Sequence, residues 1–301
     1  QGDGRIVLAG TVDGTLVDPR MVAARLTTNG ALDSSFGGGD GLFDEVFAST
    51  YSYSRGHAVL IQADSKIVVG GLARKNSAPG DDDMAVLRLE SNGLADSGFG
   101  TMPEAGRVVV DFSITGLTRD DAVHALAYRR PFLVSASRRL ILGGYERSGS
   151  GPQEVAMAML TYEGALDTGF SGNGKLELGT GFGSSATRVN ALALERLSPL
   201  LLETADRILL GGSAATSATR NSCFAARVDF SGTFDLDFAG GSFLLFNMSG
   251  SSVNDECRAG LESGGNFYLA GQTRQNLTMT GDDFSAFSLT AADALFRNGF
   301  E

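Results

Sequence analysis

Two histidines, two cysteines and several clustered aspartates are the residues of this 301-residue chain from which chemistry could be built. Histidine changes charge near neutral pH and serves as general base and metal ligand, so His57 and His124 come first. Set against the recurring strands described below, both fall at one repeat position, which Asn190 and Cys257 occupy in the next two units. Four such side chains near one mouth of a central channel would form a small polar or metal-binding site. Two good ligands of four make a poor zinc centre, which takes four nitrogen or sulfur donors. Local hydrogen bonding at a strand start accounts for the same position without a ligand.

The acidic runs Asp81-Asp82-Asp83 and Gly281-Asp282-Asp283 stand just before equivalent strands. Carboxylates crowded into one loop supply the oxygen donors that Ca²⁺ takes; as solvated charged loops they need no ion, and nothing else in the chain calls for a cofactor. Cys223 and Cys257 begin strands at the same end of adjacent units, which makes them disulfide candidates if their Cα atoms lie within about 7 Å. Gly-x-Ser-x-Gly, His-Glu-x-x-His, the phosphate-binding loop and the dinucleotide fingerprint are all missing. Carboxylates are plentiful enough for the paired acid and base of glycoside chemistry, but no pair stands out.

The elements that must position these residues come from a repeat. One strand recurs as Arg5-Ile-Val-Leu-Ala-Gly10, Lys66-Ile-Val-Val-Gly-Gly71, Arg139-Leu-Ile-Leu-Gly-Gly144, Arg207-Ile-Leu-Leu-Gly-Gly212 and Asn266-Phe-Tyr-Leu-Ala-Gly271. A short continuous apolar run bounded by turn residues marks a strand buried on both faces. A second strand and a fixed turn follow: Ala24-Arg-Leu, Asn29-Gly30, Asp33 and Phe36 in the first unit, with Asp96 and Phe99, Asp167 and Phe170, and Asp235 and Phe238 in the next three. Asn-Gly turns the chain, the aspartate accepts from nearby amides, and the phenylalanine anchors the loop. Both are read as structural.

Two further strands complete each unit, one after the phenylalanine and one before the Lys-Ile-Val-Val strand. The expected fold is therefore all-β, a propeller of about five four-stranded blades. The units run approximately over 1–47, 48–112, 113–178, 179–247 and 248–301, as one repeat domain. The blade phase makes the strand holding His57 innermost, so the first blade lacks its inner strand and the fifth its outer one. Ring closure would then need residues upstream of Gln1 or a partner segment.

The net charge of −11 and pI near 4.7 disfavour nucleic acid as a partner. No window reaches the roughly 18 apolar residues of a membrane helix, so no membrane insertion is expected. The pairing of Asp-Gly-Arg-Ile-Val-Leu-Ala-Gly with Ala-Arg-Leu-Thr-Thr-Asn-Gly-Ala-Leu-Asp-Ser-Ser-Phe-Gly resembles the bacterial delta-60 repeat, an uncharacterised propeller-type family. The resemblance covers essentially the whole chain. It implies a β-propeller, often in exported bacterial proteins, and brings no known activity or catalytic residues.

The leading expectation is thus a non-enzymatic, secreted or surface-associated monomer that binds a protein or glycan ligand through its long loops. A carboxylate- and metal-dependent hydrolase or lyase acting on glycans is the alternative, and a structural spacer within a longer exported protein is the third reading.

Overall fold

The computed structural model describes residues 1–14, 17–44, 47, 50–76, 81–101, 104–113, 118–130, 138–178, 186–195, 207–217, 220–236, 238, 243–247, 254–274 and 283–290. Among these the chain is all-β, and its strands form five antiparallel sheets. The first holds β1 (Ile6–Gly14), β2 (Val17–Leu26) and β3 (Leu42–Phe43). The second holds β4 (Tyr51–Ile61), β5 (Ile67–Lys75), β6 (Asp82–Leu89) and β7 (Arg107–Val110). The third runs β8 (Arg119–Arg129), β9 (Arg139–Ser148), β10 (Glu154–Thr161) and β11 (Lys175–Leu178), and the fourth β12 (Ala186–Glu195), β13 (Arg207–Ser217), β14 (Arg220–Val228) and β15 (Phe243–Phe246). The fifth has β16 (Asn254–Ser263), β17 (Asn266–Arg274) and β18 (Asp283–Thr290). Strand order follows chain order in every sheet. Strands β4, β8, β12 and β16 touch one another in succession, which makes them the inner strands of a propeller-type array.

Sheets stack through apolar side chains that leave each strand on alternate faces. Ile67 and Val69 pack with Met21, Ala23 and Phe36 of the first sheet, whereas Val68 packs with Val123, Leu140 and Leu142 of the third. All three β5 residues are fully buried. Being covered on both sides is why this strand reads as an unbroken apolar run rather than an alternating one.

The aspartate turn is tied more firmly than a local turn. Asp33 accepts from Arg25 Nε at 2.8 Å and pairs with Arg5 Nε at 3.0 Å; Asp96 does so with Arg88 Nε at 2.5 Å and Lys66 Nζ at 3.0 Å. Its other oxygen takes a backbone amide, Ser35 N–H at 3.0 Å or Gly98 N–H at 2.9 Å. In the fourth sheet Arg227 and Arg207 hold Asp235. Met159 stands at the corresponding place of the third, where Arg139 holds Asp167. Arg25, Arg88 and Arg227 lie over the rings of Phe36, Phe99 and Phe238 at 4.7, 4.3 and 5.1 Å. Each turn is then bonded to the next through the backbone: Gly37 N–H to Asn92 O, Gly100 N–H to Glu163 O and Ser171 N–H to Ser231 O, at 2.8–2.9 Å.

Each inner strand bulges. The pairing register slips by one residue between Gly56 and Ala58, Val123 and Ala125, Val189 and Ala191, and Cys257 and Ala259. A bulge pushes a carbonyl sideways into the neighbouring strand, and the glycine that closes the apolar run receives it. A β-carbon on Gly71, Gly144 or Gly271 would lie 1.8 Å from the carbonyl oxygen of Arg55, Ala122 or Glu256; on Gly212 it would lie 2.0 Å from that of Arg188. At Gly10, in the first sheet, it would meet nothing within 4 Å. Gly144→Ala should therefore destabilise the protein by about 3 kcal/mol, as overpacking does, while Gly10→Ala should stay within about 0.5 kcal/mol. Urea unfolding of the two variants measures the contrast, and equal midpoints would mean the bulge does not require the glycine.

Candidate functional site

The bulge corrects one alignment made from the sequence. It singles out His57, His124, Asn190 and, in the fifth sheet, Arg258, because Cys257 pairs with Gly271 just as Val123 pairs with Gly144. A sequence alignment without the extra residue shifts the fifth strand by one. The His57 and His124 rings stack with centroids 4.6 Å apart and planes 12° apart. His57 Nδ1 lies 3.0 Å from Val123 O, so that nitrogen carries the proton in the neutral ring. Asn190 Nδ2 donates to Cys257 O at 2.7 Å and to Ser213 Oγ at 3.2 Å. His57 thus links β4 to β8, and Asn190 links β12 to β16. Burial, then the neighbouring His57 and Arg188, holds His124 down to about 3, so its ring is neutral at physiological pH. With an arginine as fourth member, the position is not a set of metal donors.

Cys257 is occupied elsewhere: it is bonded to Cys223, with Cα atoms 5.3 Å apart, joining β14 to β16 across adjacent sheets. A cross-link spanning 34 residues restricts the unfolded chain. Cys223→Ser with Cys257→Ser should lower stability by about 2–4 kcal/mol, which urea unfolding with and without reductant will measure.

The acidic run before β6 divides in two because successive side chains of a strand point to opposite faces. Asp82 turns to Arg74 in a two-pronged pair at 2.6 and 2.8 Å. Asp81 and Asp83 turn the other way and meet Asp111, which follows β7, so that oxygens of all three lie within 4.8 Å of one another. Lys75, at the end of β5, places its ammonium among them: 3.0 Å from Asp81, 3.1 Å from Asp83 and 2.8 Å from Asp111. A divalent ion at these carboxylates would have to displace it. Tyr51, opening β4, donates its hydroxyl to Asp83 Oδ2 at 3.1 Å. Asp283, the counterpart of Asp83 in β18, is exposed, and Asp282 lies outside the described residues.

Proton affinities within this group are pulled apart. Burial, then the charge of Asp111, pushes Asp83 up to about 7 despite Lys75. Burial also opposes the charge of Asp111, but hydrogen bonds from Lys75 and the Ser113 amide outweigh it and hold Asp111 below the ordinary carboxylate range. On the third sheet burial raises Asp121 to about 8, although it accepts the Phe112 N–H at 2.8 Å, and raises Glu146 to about 7 against the pull of Arg119. Lys75, Asp111, Tyr51, Asp121 and Glu146 were not singled out in the sequence. The signal available for Asp121 was Arg119-Asp-Asp directly before the inner strand, which begins four residues earlier than its apolar part suggests.

A cleft of about 540 Å³ opens beside this group, between Phe47, Thr50 and Tyr51 on one side and Thr101, Glu104, Arg107–Val110 and Glu163–Leu166 on the other. Tyr51 belongs both to its wall and to the carboxylate group.

Two segments of the chain, residues 1–36 and 62–99, match the family described as a domain of unknown function (DUF5122) beta-propeller. This agrees with an uncharacterised propeller family and leaves the delta-60 designation a resemblance. No curated protein matches the sequence. Among solved structures, the chain is similar to α-L-arabinofuranosidase from Lactobacillus brevis at 11% identity and TM-score 0.46, covering 100% of this chain and 94% of that one. It is similar to exo-1,5-α-L-arabinanase from a bovine ruminal metagenomic library at 6% and 0.45, covering 96% and 91%. For Bacillus subtilis levansucrase the values are 8% and 0.44, covering 99% and 83%. At these identities the likeness concerns the fold. The three solved structures carry enzyme names, in contrast to the expected non-enzymatic binding or scaffolding module, and the likeness itself assigns no activity to this chain. That expectation rested on missing local motifs, whereas a repeat fold gathers carboxylates from separate strands.

The raised and lowered carboxyls set the pH dependence of stability. A carboxyl whose affinity rises on folding binds more protons in the folded state, so Asp83, Asp121 and Glu146 make stability fall as pH rises from about 4 to about 8. Asp33 and Asp96, both lowered to about 2, act oppositely, and their contribution is lost as pH falls from about 4 to 2. The melting temperature should therefore peak between about pH 4 and 5. Asp121→Asn, which keeps an oxygen for the Phe112 amide, should flatten the decline above that peak; calorimetry from pH 2 to 9 would show an unaltered decline if Asp121 stayed ionised.

Proposed function

We propose that this chain is a carboxylate-dependent enzyme acting on glycans, with the Asp83, Asp111, Lys75 and Tyr51 group beside the 540 Å³ cleft as its centre. The observation that carries the reading is the split in proton affinity between two carboxyls that share one lysine. Cleavage of a glycosidic bond needs one carboxyl that holds a proton near neutral pH and one that stays ionised. Asp83, raised to about 7, fits the first role and Asp111, lowered and with 41% of its side chain exposed, the second.

Asp83 is itself fully buried, so its proton reaches the cleft through Tyr51. The protonated carboxyl donates to the phenol oxygen, and the phenol proton passes to the departing sugar oxygen. As the bond from the anomeric carbon to the departing oxygen breaks, a water oxygen bonds to that carbon and gives a proton to Asp111. Asp111 then releases one proton to solvent and Asp83 takes one up, while the proton passed on by Tyr51 leaves with the product hydroxyl. Lys75 keeps Asp111 ionised and fills the place where a metal-dependent version of this chemistry would hold its ion. The aromatic ring of Tyr51, half-buried in the cleft wall beside the buried Phe47, suits the apolar face of a sugar ring.

Release of reducing sugar from α-1,5-arabinan, levan and a wider panel of polysaccharides tests the reading. Asp111→Asn and Tyr51→Phe should each lower kcat by about 100-fold or more with the fold intact by circular dichroism. Activity should fall as pH rises through about 7, where Asp83 gives up its proton. No sugar released from any polymer, or full activity in Asp111→Asn, would overturn it.

A further inference from the structure

The three residues that follow β7, Asp111, Phe112 and Ser113, belong to the second sheet, yet each of them is held from the third. Lys175, which opens β11, donates from its ammonium to the Asp111 carbonyl and lies 5.3 Å from the centre of the Phe112 ring. Asp121 of β8 accepts the Phe112 N–H through Oδ2 at 2.8 Å. The Arg119 N–H donates to Ser113 Oγ at 3.2 Å. Within the segment the Ser113 N–H donates to Asp111 Oδ1 at 2.6 Å, and Ser113 Oγ donates to Asp81 Oδ1 at 3.3 Å. Phe112 is buried in one cluster with Val123, Leu140 and Leu142 of the third sheet. Both polar ends of the peptide group that joins Asp111 to Phe112 are therefore bonded to side chains of the neighbouring sheet.

Packing alone does not call for an acid at this place. Ser54, the counterpart of Asp121 in the second sheet, serves an amide of the preceding sheet, that of Met21 in β2, with an uncharged hydroxyl at 2.9 Å. Asp121 reaches past the corresponding strand to the segment after β7, is fully buried, and leaves Oδ1 without a hydrogen-bond partner among the described residues. A buried polar oxygen left unbonded costs stability, and departures of this kind from the rules of a stable fold gather at functional sites. We propose that Asp121 is a positioning residue for Asp111: with Lys175 it clamps the Asp111–Phe112 peptide and so holds the Asp111 carboxylate 2.8 Å from Lys75, where it can take the proton of an attacking water. This rests on the reading of Asp111 as the base of the proposed reaction. Asp121 touches no substrate itself and acts through the amide that it holds. Misplacing a reacting group by about 1 Å costs as much as ~100-fold in rate.

Carbon-13 NMR titration of the Asp111 carboxyl and steady-state kinetics, both on the full 301-residue chain, test the proposal. Asp121, raised to about 8, is uncharged over the range in which Asp111 titrates, so replacing it by alanine removes no charge there. A role in packing alone leaves the Asp111 midpoint where it is. Loss of position instead lengthens the bonds from Lys75 and the Ser113 amide that keep Asp111 low. Asp121→Ala should therefore raise the Asp111 midpoint toward the ordinary value of about 3.9 and lower kcat about tenfold with KM unchanged. Asp121→Asn, which keeps the accepting oxygen, should restore both. Asp121→Ser places there the residue that the second sheet carries, too short to reach the Phe112 amide, and should reproduce the alanine result even where the alanine variant does not fold. A midpoint that stays or falls in Asp121→Ala and Asp121→Ser, or no rescue by Asp121→Asn, would overturn the proposal. If Asp111→Asn proves fully active, the catalytic reading fails, and the midpoint alone then decides whether Asp121 positions the carboxylate.

Discussion

An ionised aspartate held by two cations and a backbone amide is the interaction on which the array depends. Asp33, Asp96 and Asp235 each join the strand that begins the glycine pair to the strand that follows it, through a cation from both. The guanidinium that reaches the aspartate also covers the turn phenylalanine and, from Arg25 and Arg88, donates to a carbonyl of the next turn, Ser91 O or Tyr162 O. One buried charge pair therefore sets the turn, seats an apolar anchor and fixes the neighbouring sheet. A buried pair of this kind adds little net stability over apolar packing but is costly to break. Its value here is register: with each turn bonded to the next, sheets stack at one height, and their strand ends form common faces.

The bulge acts on those common faces. By inserting one residue into each inner strand, it sets His57 and Asn190 against a backbone oxygen of the next inner strand and stacks His124 on His57, while Arg258 pairs with Glu256 of its own strand. What first looks like a ring of ligands is a series of inter-sheet ties. The same shift puts Ser54 and Asp121 two residues before Gly56 and Val123, buried against the preceding sheet, where they accept the Met21 and Phe112 amides. A serine satisfies that amide without charge. An aspartate in the same place holds a carboxyl in a dry environment, which is the physical origin of its raised proton affinity.

Much of the fold was legible because it repeats. The apolar run, its closing glycine and the Asp-and-Phe turn each appear four or five times in one order, so the sheets, their antiparallel meander and the inner position of the His57 strand follow from counting. The arginine partner of the turn aspartate was in view as Arg25, Arg88 and Arg227, yet sequence gives no reason to pair residues eight apart around a turn until the turn is built. The inner strands extend three to six residues before their apolar parts, because those first residues answer to polar neighbours at the face rather than to a core. A bulge is invisible to alignment, and that is why Cys257 was placed where Arg258 stands.

The candidate site was the least legible part, for the same reason that the fold was readable. Repetition identifies what all units share, and the group around Lys75 is what one unit does not share: Ser148 and Thr216 occupy the equivalents of Lys75 in the third and fourth sheets, and Glu154 and Ser222 those of Asp83. Departure from the repeat is thus the sequence signal for chemistry in such a protein. A residue constrained by the array must satisfy the same contacts as its counterparts, whereas Lys75 gathers three carboxylates and Asp111 answers to Lys75 and the nearby Ser113 amide. Three acids round one ammonium leave an excess of negative charge beside Tyr51, and burial of one acid resolves that excess by retaining a proton. The cluster is therefore poised to give up or take a proton near neutrality, a property that none of the turn aspartates, each matched to its cations, can have.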